Sequence, residues 1–213
     1  LQSNKYYIKE EKQMNACVIG NGPSRTNFDL ATIGSKMTTY GCNALYRDFT
    51  PNYLISMDKQ MVDEILKHQA HKRSLFYTQH EKSIDSLALK GEPINFFSGF
   101  KETNDSGNSA LRLALTHDND ITYMIGFDYN EGGSNLPNVY RGTNHYPRSH
   151  IFPAASMQTD KWRQRLNKIL RDYPNKKVVR VNGNNKRFDI PLDNYSEITI
   201  EHFKEIIDDR IHI

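Results

Sequence analysis

A disulfide framework has almost nothing to build on in this chain, which has two cysteines, Cys17 and Cys42, among 213 residues. Each lies inside an apolar, strand-like run, where a free thiol is normally buried. There is no C-x-x-C pair, so a zinc site has no support and a reducing, cytoplasmic compartment is expected. Long apolar runs are missing too: nothing approaches the ~20 residues a membrane span needs. Leu1 to Met14 are polar and lack the apolar core of a signal peptide, so residues 1–14 read as a polar extension. Strong charge asymmetry is also absent. A net charge of +3 gives no reason to expect a nucleic-acid partner. Charged residues at 25% and a mean hydropathy of −0.72 describe a polar globular protein. The length suits one well-buried domain over residues 15–213.

Against that background one stretch stands out, Ala16-Cys17-Val18-Ile19-Gly20-Asn21-Gly22-Pro23-Ser24. An apolar run breaks at once into a turn containing two glycines, as a buried parallel strand does above a ligand crevice. The turn's N–H groups are then free to face an anion. The spacing is neither G-x-G-x-x-G nor a Walker loop, since no Gly-Lys-Ser/Thr follows, which argues against standard dinucleotide binding and P-loop phosphate transfer. A tight strand-end turn with no ligand stays open on this stretch alone.

Further along, apolar runs alternate with helical spacing. Phe28 to Gly34 reads as a short crossover and Lys36 to Cys42 as a second strand. Tyr53 to Met57 is a third strand, and Met61, Val62, Ile65 and Leu66 mark a helix to about His68. Ser74–Tyr77 and Ile94–Phe97 are candidate strands. Ser106-Gly107-Asn108-Ser109 precedes the run Ala110–Leu115, with serine as the capping signal, and Ile121–Ile125 is a strong strand ending in Gly126-Phe127-Asp128-Tyr129. Trp162 to Tyr173 returns to helical spacing, Lys177–Val181 is a late strand, and Ile200 to Ile207 is a last helix capped by Thr199. This alternation predicts an α/β, Rossmann-like fold: an open, mostly parallel sheet with helices on both faces. Residues at about 130–153, rich in glycine, proline, tyrosine and histidine, read as a short lid loop.

Ligands of such sheets bind outside the carboxyl ends of the strands. The polar residues expected there are Asn21, Asn43, Asp58, Ser106 and Asp128. Two asparagines, able to donate and accept, suit a nucleotide better than a bare divalent metal, which wants clustered carboxylates. Ser106-Gly107 offers N–H groups to a phosphate or carboxylate, or is an ordinary helix start. The basic segment Lys161 to Arg187 reads as a solvated helix face, with peripheral contact to an anionic membrane surface or phosphorylated glycan as the functional alternative.

Taken in order, Gly20-Asn21-Gly22-Pro23-Ser24, Cys42-Asn43, Ser106-Gly107 and Gly126-Phe127-Asp128-Tyr129 resemble the bacterial CMP-sialic-acid-dependent sialyltransferases of lipooligosaccharide synthesis. The Gly-x-Gly-Pro-Ser opening is also similar to a broader Rossmann-like group, including archaeal-type hydroxymethylpterin pyrophosphokinases. The first resemblance implies transfer of sialic acid, or a related acidic sugar, from a CMP donor to a glycan hydroxyl with inversion. It implies Asn21, Gly22 and Ser24 against the nucleotide, Asn43 on nucleotide or sugar, Ser106 and Gly107 at the sugar carboxylate, and Phe127 and Asp128 lining the cytidine pocket. It further implies Tyr140 and Tyr146 on the leaving phosphate and His150 as base, with His145 competing. No cofactor or metal is required on this reading, and the partners are a nucleotide-sugar donor and a glycan acceptor. Two alternatives are a Mg²⁺-dependent diphosphotransferase and a nucleotide-binding protein without turnover. A homo-oligomer is left open.

Overall fold

The computed structural model describes residues 14–79, 91–97, 105–128, 138–148, 155–183 and 187–208, with the side chains of 155–159 excepted. Eight strands form one sheet: β1 (Ala16–Ile19), β2 (Thr38–Cys42), β3 (Tyr53–Ile55), β4 (Leu75–Thr78), β5 (Ile94–Phe96), β6 (Ile121–Ile125), β7 (Lys177–Asn182) and β8 (Tyr195–Thr199). Five α-helices accompany them among the described residues: α1 (Leu30–Lys36), α2 (Lys59–Lys67), α3 (Ser106–Thr116), α4 (Ala155–Asp172) and α5 (Ile200–Ile207). The strand order is β5-β4-β3-β2-β1-β6-β7-β8, and every pairing is parallel. This is an open Rossmann-like sheet flanked by helices on both faces.

Both faces of β1 are buried, which explains its unbroken apolar sequence. Ala16 and Val18 pack with Leu111, Ala114, Leu166 and Ile169 of α3 and α4. Cys17 and Ile19 face the other way, against Ile33 of α1 and Phe203 of α5, and the helix α2 covers Leu54 and Phe76 through Met61, Val62 and Ile65. Both cysteines are free and buried. Burial alone drives the Cys17 thiol well above its ordinary range. No helix among the described residues is long and apolar enough to cross a membrane.

Three local expectations need correction. The cap of α3 is Asp105, whose carboxylate accepts from the Asn108 N–H at 2.8 Å, while Ser106 is the first helical residue. Lys36 closes α1, so β2 starts only at Thr38. The strand β8 was not anticipated, because Tyr-Ser-Glu-Ile-Thr reads as polar. The basic stretch is also less solvated than its composition suggests. Arg180 is fully buried against Glu197, and Arg165 pairs with Asp105 at 3.0 Å. Lys186 lies outside the described residues.

What positions a site is the route of the chain. From β1 it runs outward through β2 to β5, then crosses back to β6 on the other flank of β1. The direction of winding therefore reverses between β1 and β6, the place at which ligands of open α/β sheets bind.

Candidate functional site

Glycine makes the reversal point compact. Gly20 N–H donates to Ile125 O at 2.8 Å and Gly22 N–H to Gly126 O at 2.9 Å. A Cβ on Gly22 would lie 2.3 Å from Asp128 Oδ2, and one on Gly20 would lie 2.5 Å from Gly126 O. Gly126 itself holds φ at +70°, a region side chains disfavour. Asp128 is buried, and its Oδ2 accepts the Ser24 N–H at 2.9 Å. Gly183, just past β7, completes the contact: a Cβ there would sit 2.1 Å from Ser24 Cβ. Three strand ends thus meet at glycines where an added side chain would clash with its neighbours.

The tips of β2 and β3 form the neighbouring wall. Asn43 turns the chain at φ 51°, and Asn21 Nδ2 donates to the preceding carbonyl, Cys42 O, at 3.2 Å. Asn43 Oδ1 accepts from Ser56 Oγ at 3.0 Å and Ser106 Oγ at 2.7 Å, and Ser106 Oγ accepts the Met57 N–H at 2.9 Å. Phe127 fills the gap between turns, since Cβ atoms on Gly20 and Gly107 would each come within 3.1 Å of its ring. Asn21, Gly22, Ser24, Asn43, Ser106, Gly107, Phe127 and Asp128 therefore lie in one chain of contacts at the carboxyl edge of the sheet. The N–H groups of Ser106 and Gly107 belong to a first helical turn, whose donors have no intrahelical acceptor.

Residues 138–148, within the segment expected to form a lid, pack on this edge. Val139 N–H donates to Asn21 O at 2.9 Å. The Tyr140 and Tyr146 rings lie 5.9 Å apart. Burial raises the Tyr146 phenol above its ordinary range, with a hydrogen bond from Asn43 working the other way. Tyr140 is buried, and its hydroxyl donates to Asp48 Oδ2 at 2.8 Å and accepts from Arg25 Nη2 at 2.7 Å. Two guanidiniums lie over its ring, Arg25 at 5.1 Å and Arg47 at 5.5 Å from the centroid. Arg47 also donates to Thr143 Oγ1 at 2.8 Å, to Asn144 O at 3.2 Å and to Glu64 Oε1.

The histidine expected as base, His150, falls outside the described residues. His145 is described: at φ 64° it turns its Nε2 to within 3.1 Å of Glu64 Oε2. Glu64 also accepts from Tyr46 OH and Arg47. Its burial opposes ionisation, yet those hydrogen bonds and the Arg47 charge outweigh it and hold the carboxyl below its usual range. A carboxylate orienting one imidazole nitrogen leaves the other able to accept a proton. Among the described residues no group of three or more histidines, cysteines or carboxylates could hold a metal ion.

Sequence reasoning missed Arg25, Asp48, Arg47, Glu64 and Gly183. The charged ones read as solvated turn and helix residues, and only Gly183, beside Asn182 at a strand end, carried a turn signal. Compared with protein-family models, with curated proteins and with solved structures, the chain finds no significant match in any of the three.

Proposed function

We propose that this protein is a nucleotide-sugar-dependent glycosyltransferase, moving an acidic sugar of the sialic acid type from a CMP donor to a glycan hydroxyl. The fold is one that many nucleotide- and sugar-binding enzymes use. The observation that carries the reading is the convergence of the Gly20–Ser24 turn, the Asn43–Ser106 pair and the Phe127–Asp128 turn at the reversal point, beneath a lid bearing two tyrosines.

On this reading the donor's phosphate lies along the Asn21–Ser24 turn, its sugar carboxylate faces the Ser106 and Gly107 N–H groups, and the cytidine lies towards Phe127 and Asp128. The acceptor oxygen attacks the anomeric carbon as the bond from that carbon to the phosphate oxygen breaks, which inverts the centre. The acceptor proton passes to a lid histidine, His150 or His145, and CMP departs carrying the bonding electrons. Tyr146 donates to the phosphate as charge grows, while Tyr140 anchors the lid through Arg25 and Asp48. A donor aimed at developing charge of this kind is commonly worth about 3 kcal/mol of barrier.

The test is a calorimetric panel of CMP, ATP and GTP, with Mg²⁺ and with EDTA, followed by transfer assays on whichever nucleotide-sugar binds. CMP should bind more tightly than either purine nucleotide, and transfer should survive EDTA. Equal binding of all three removes the sialyltransferase reading. Turnover that vanishes on chelation points to Mg²⁺-dependent diphosphate transfer. Tight binding with no product under either condition leaves a nucleotide-binding protein without turnover.

A further inference from the structure

Three neighbouring side chains in the first turn carry buried polar atoms that meet no hydrogen-bond partner among the described residues: Asn21 Oδ1, Ser24 Oγ, and both Nε and Nη1 of Arg25. Buried polar groups are nearly always satisfied, so such atoms gathered within five residues mark a place where solvent or ligand completes the bonding.

Arg25 is the charged member of the group and only 4% exposed. Its guanidinium has five N–H donors in a planar fork suited to phosphate and carboxylate oxygens. Among the described residues only Nη2 is engaged, shared between Asp48 Oδ2 at 2.6 Å and Tyr140 OH at 2.7 Å. Its counterion can be solvated in its place, because the Asp48 side chain is 50% exposed. The side chain leaves the backbone beside Gly126, whose added Cβ would lie 3.2 Å from Arg25 Cβ. It extends towards Cys42 and Asp48 beyond β2, and its charge is felt at the Cys42 thiol. The guanidinium therefore reaches from the turn after β1 to the chain beyond β2, with the Tyr140 ring centroid 5.1 Å from it.

We propose that Arg25 is the anion receptor of this edge: its Nε and Nη1 donors take the phosphate of the nucleotide ligand. Asp48 and Tyr140 hold the remaining nitrogen. The assignment rests on the nucleotide-binding reading and adds to it a charged group that the glycine turn alone does not supply.

Calorimetry with cytidine, CMP and inorganic pyrophosphate on the wild type, Arg25→Gln and Asp48→Asn tests this. The wild type should bind CMP about tenfold or more tightly than cytidine, as a charge-assisted contact to the phosphate requires. Arg25→Gln should leave cytidine binding unchanged and bring CMP down to the cytidine level. Asp48→Asn removes the competing carboxylate at a half-exposed position and should bind CMP several-fold more tightly than the wild type. A folded Arg25→Gln that keeps the preference for CMP overturns the proposal. If that variant does not fold, Asp48→Asn decides: unchanged or weaker CMP binding is a refutation. If the wild type binds neither cytidine nor CMP, the nucleotide reading fails separately. Pyrophosphate binding that either variant alters in the stated direction then still supports Arg25, and no pyrophosphate binding by the wild type rules it out.

Discussion

Two buried arginines, Arg25 and Arg180, sit on opposite flanks of β1 and β6 and are treated very differently by their surroundings. Arg180 belongs to a central position of β7 and is fully buried. Its Nε donates to Phe127 O at 3.0 Å, its Nη1 donates to Glu197 Oε1 at 3.0 Å, and its face lies 4.0 Å from the Phe188 ring centroid. The Glu197 side chain is only 6% exposed, accepting also from Asn182, Tyr195 OH and the Phe188 N–H. Arg25 instead shares one nitrogen between a half-exposed aspartate and Tyr140. The contrast separates two uses of a buried charge. A guanidinium whose carboxylate is buried with it fixes the packing of β7, β8 and the turn after β6. One whose counterion reaches water keeps donors in reserve for something that comes and goes.

The sharpest way to break this contrast is to remove each charge in turn. Arg180→Met leaves Glu197 buried and uncompensated, a defect that typically costs about 3–5 kcal/mol, so its urea midpoint should fall steeply. Arg25→Met should cost less, about 1–2 kcal/mol, because Asp48 recovers water in place of the guanidinium. Equal losses in the two variants would erase the distinction.

A smaller effect sharpens it at residues 143–145. The folded-state pKa of Glu64 lies below the ordinary carboxylate value. Its contribution to stability is therefore complete above the unfolded value, about pH 4.3, and is lost as pH falls through the folded value. Protonation releases Arg47 and His145 together, which loosens residues 143–145. The melting temperature of Glu64→Gln should lack this acid-side decline, and profiles that run parallel from pH 6 to pH 3 would show that Glu64 does not control it.

The frame of the molecule was readable from residue order because its signals are local. Apolar runs such as Ala16–Ile19 and Ile121–Ile125 end in glycine, and in a parallel sheet that pattern belongs to buried strands. Asn21, Gly22, Asn43, Phe127 and Asp128 could be placed at the carboxyl edge for the same reason, since they follow the ends of β1, β2 and β6 within three residues. What stayed hidden depends on distant partners. Glu197 in the middle of β8 looks like an exposed position until Arg180 is known to lie beside it. Arg25 in a turn has the composition of a solvated residue, and only Asp48 and Tyr140, 23 and 115 positions away, show that it is enclosed. Ser106 gave the right place for a helix start but the wrong cap, since Asp105 competes for the same N–H with a charged acceptor.

The claim on which the account depends is that a pyrimidine monophosphate binds at the carboxyl edge between β1 and β6. Amide-resolved NMR during a CMP titration tests it most directly. The account predicts shifts concentrated at Asn21 to Arg25, Asn43, Ser106–Gly107 and Phe127–Asp128, with those of Val139 and Tyr140 following as the lid responds. Shifts confined to the opposite edge, around His117 to Asp120, or none at saturating CMP, would contradict it.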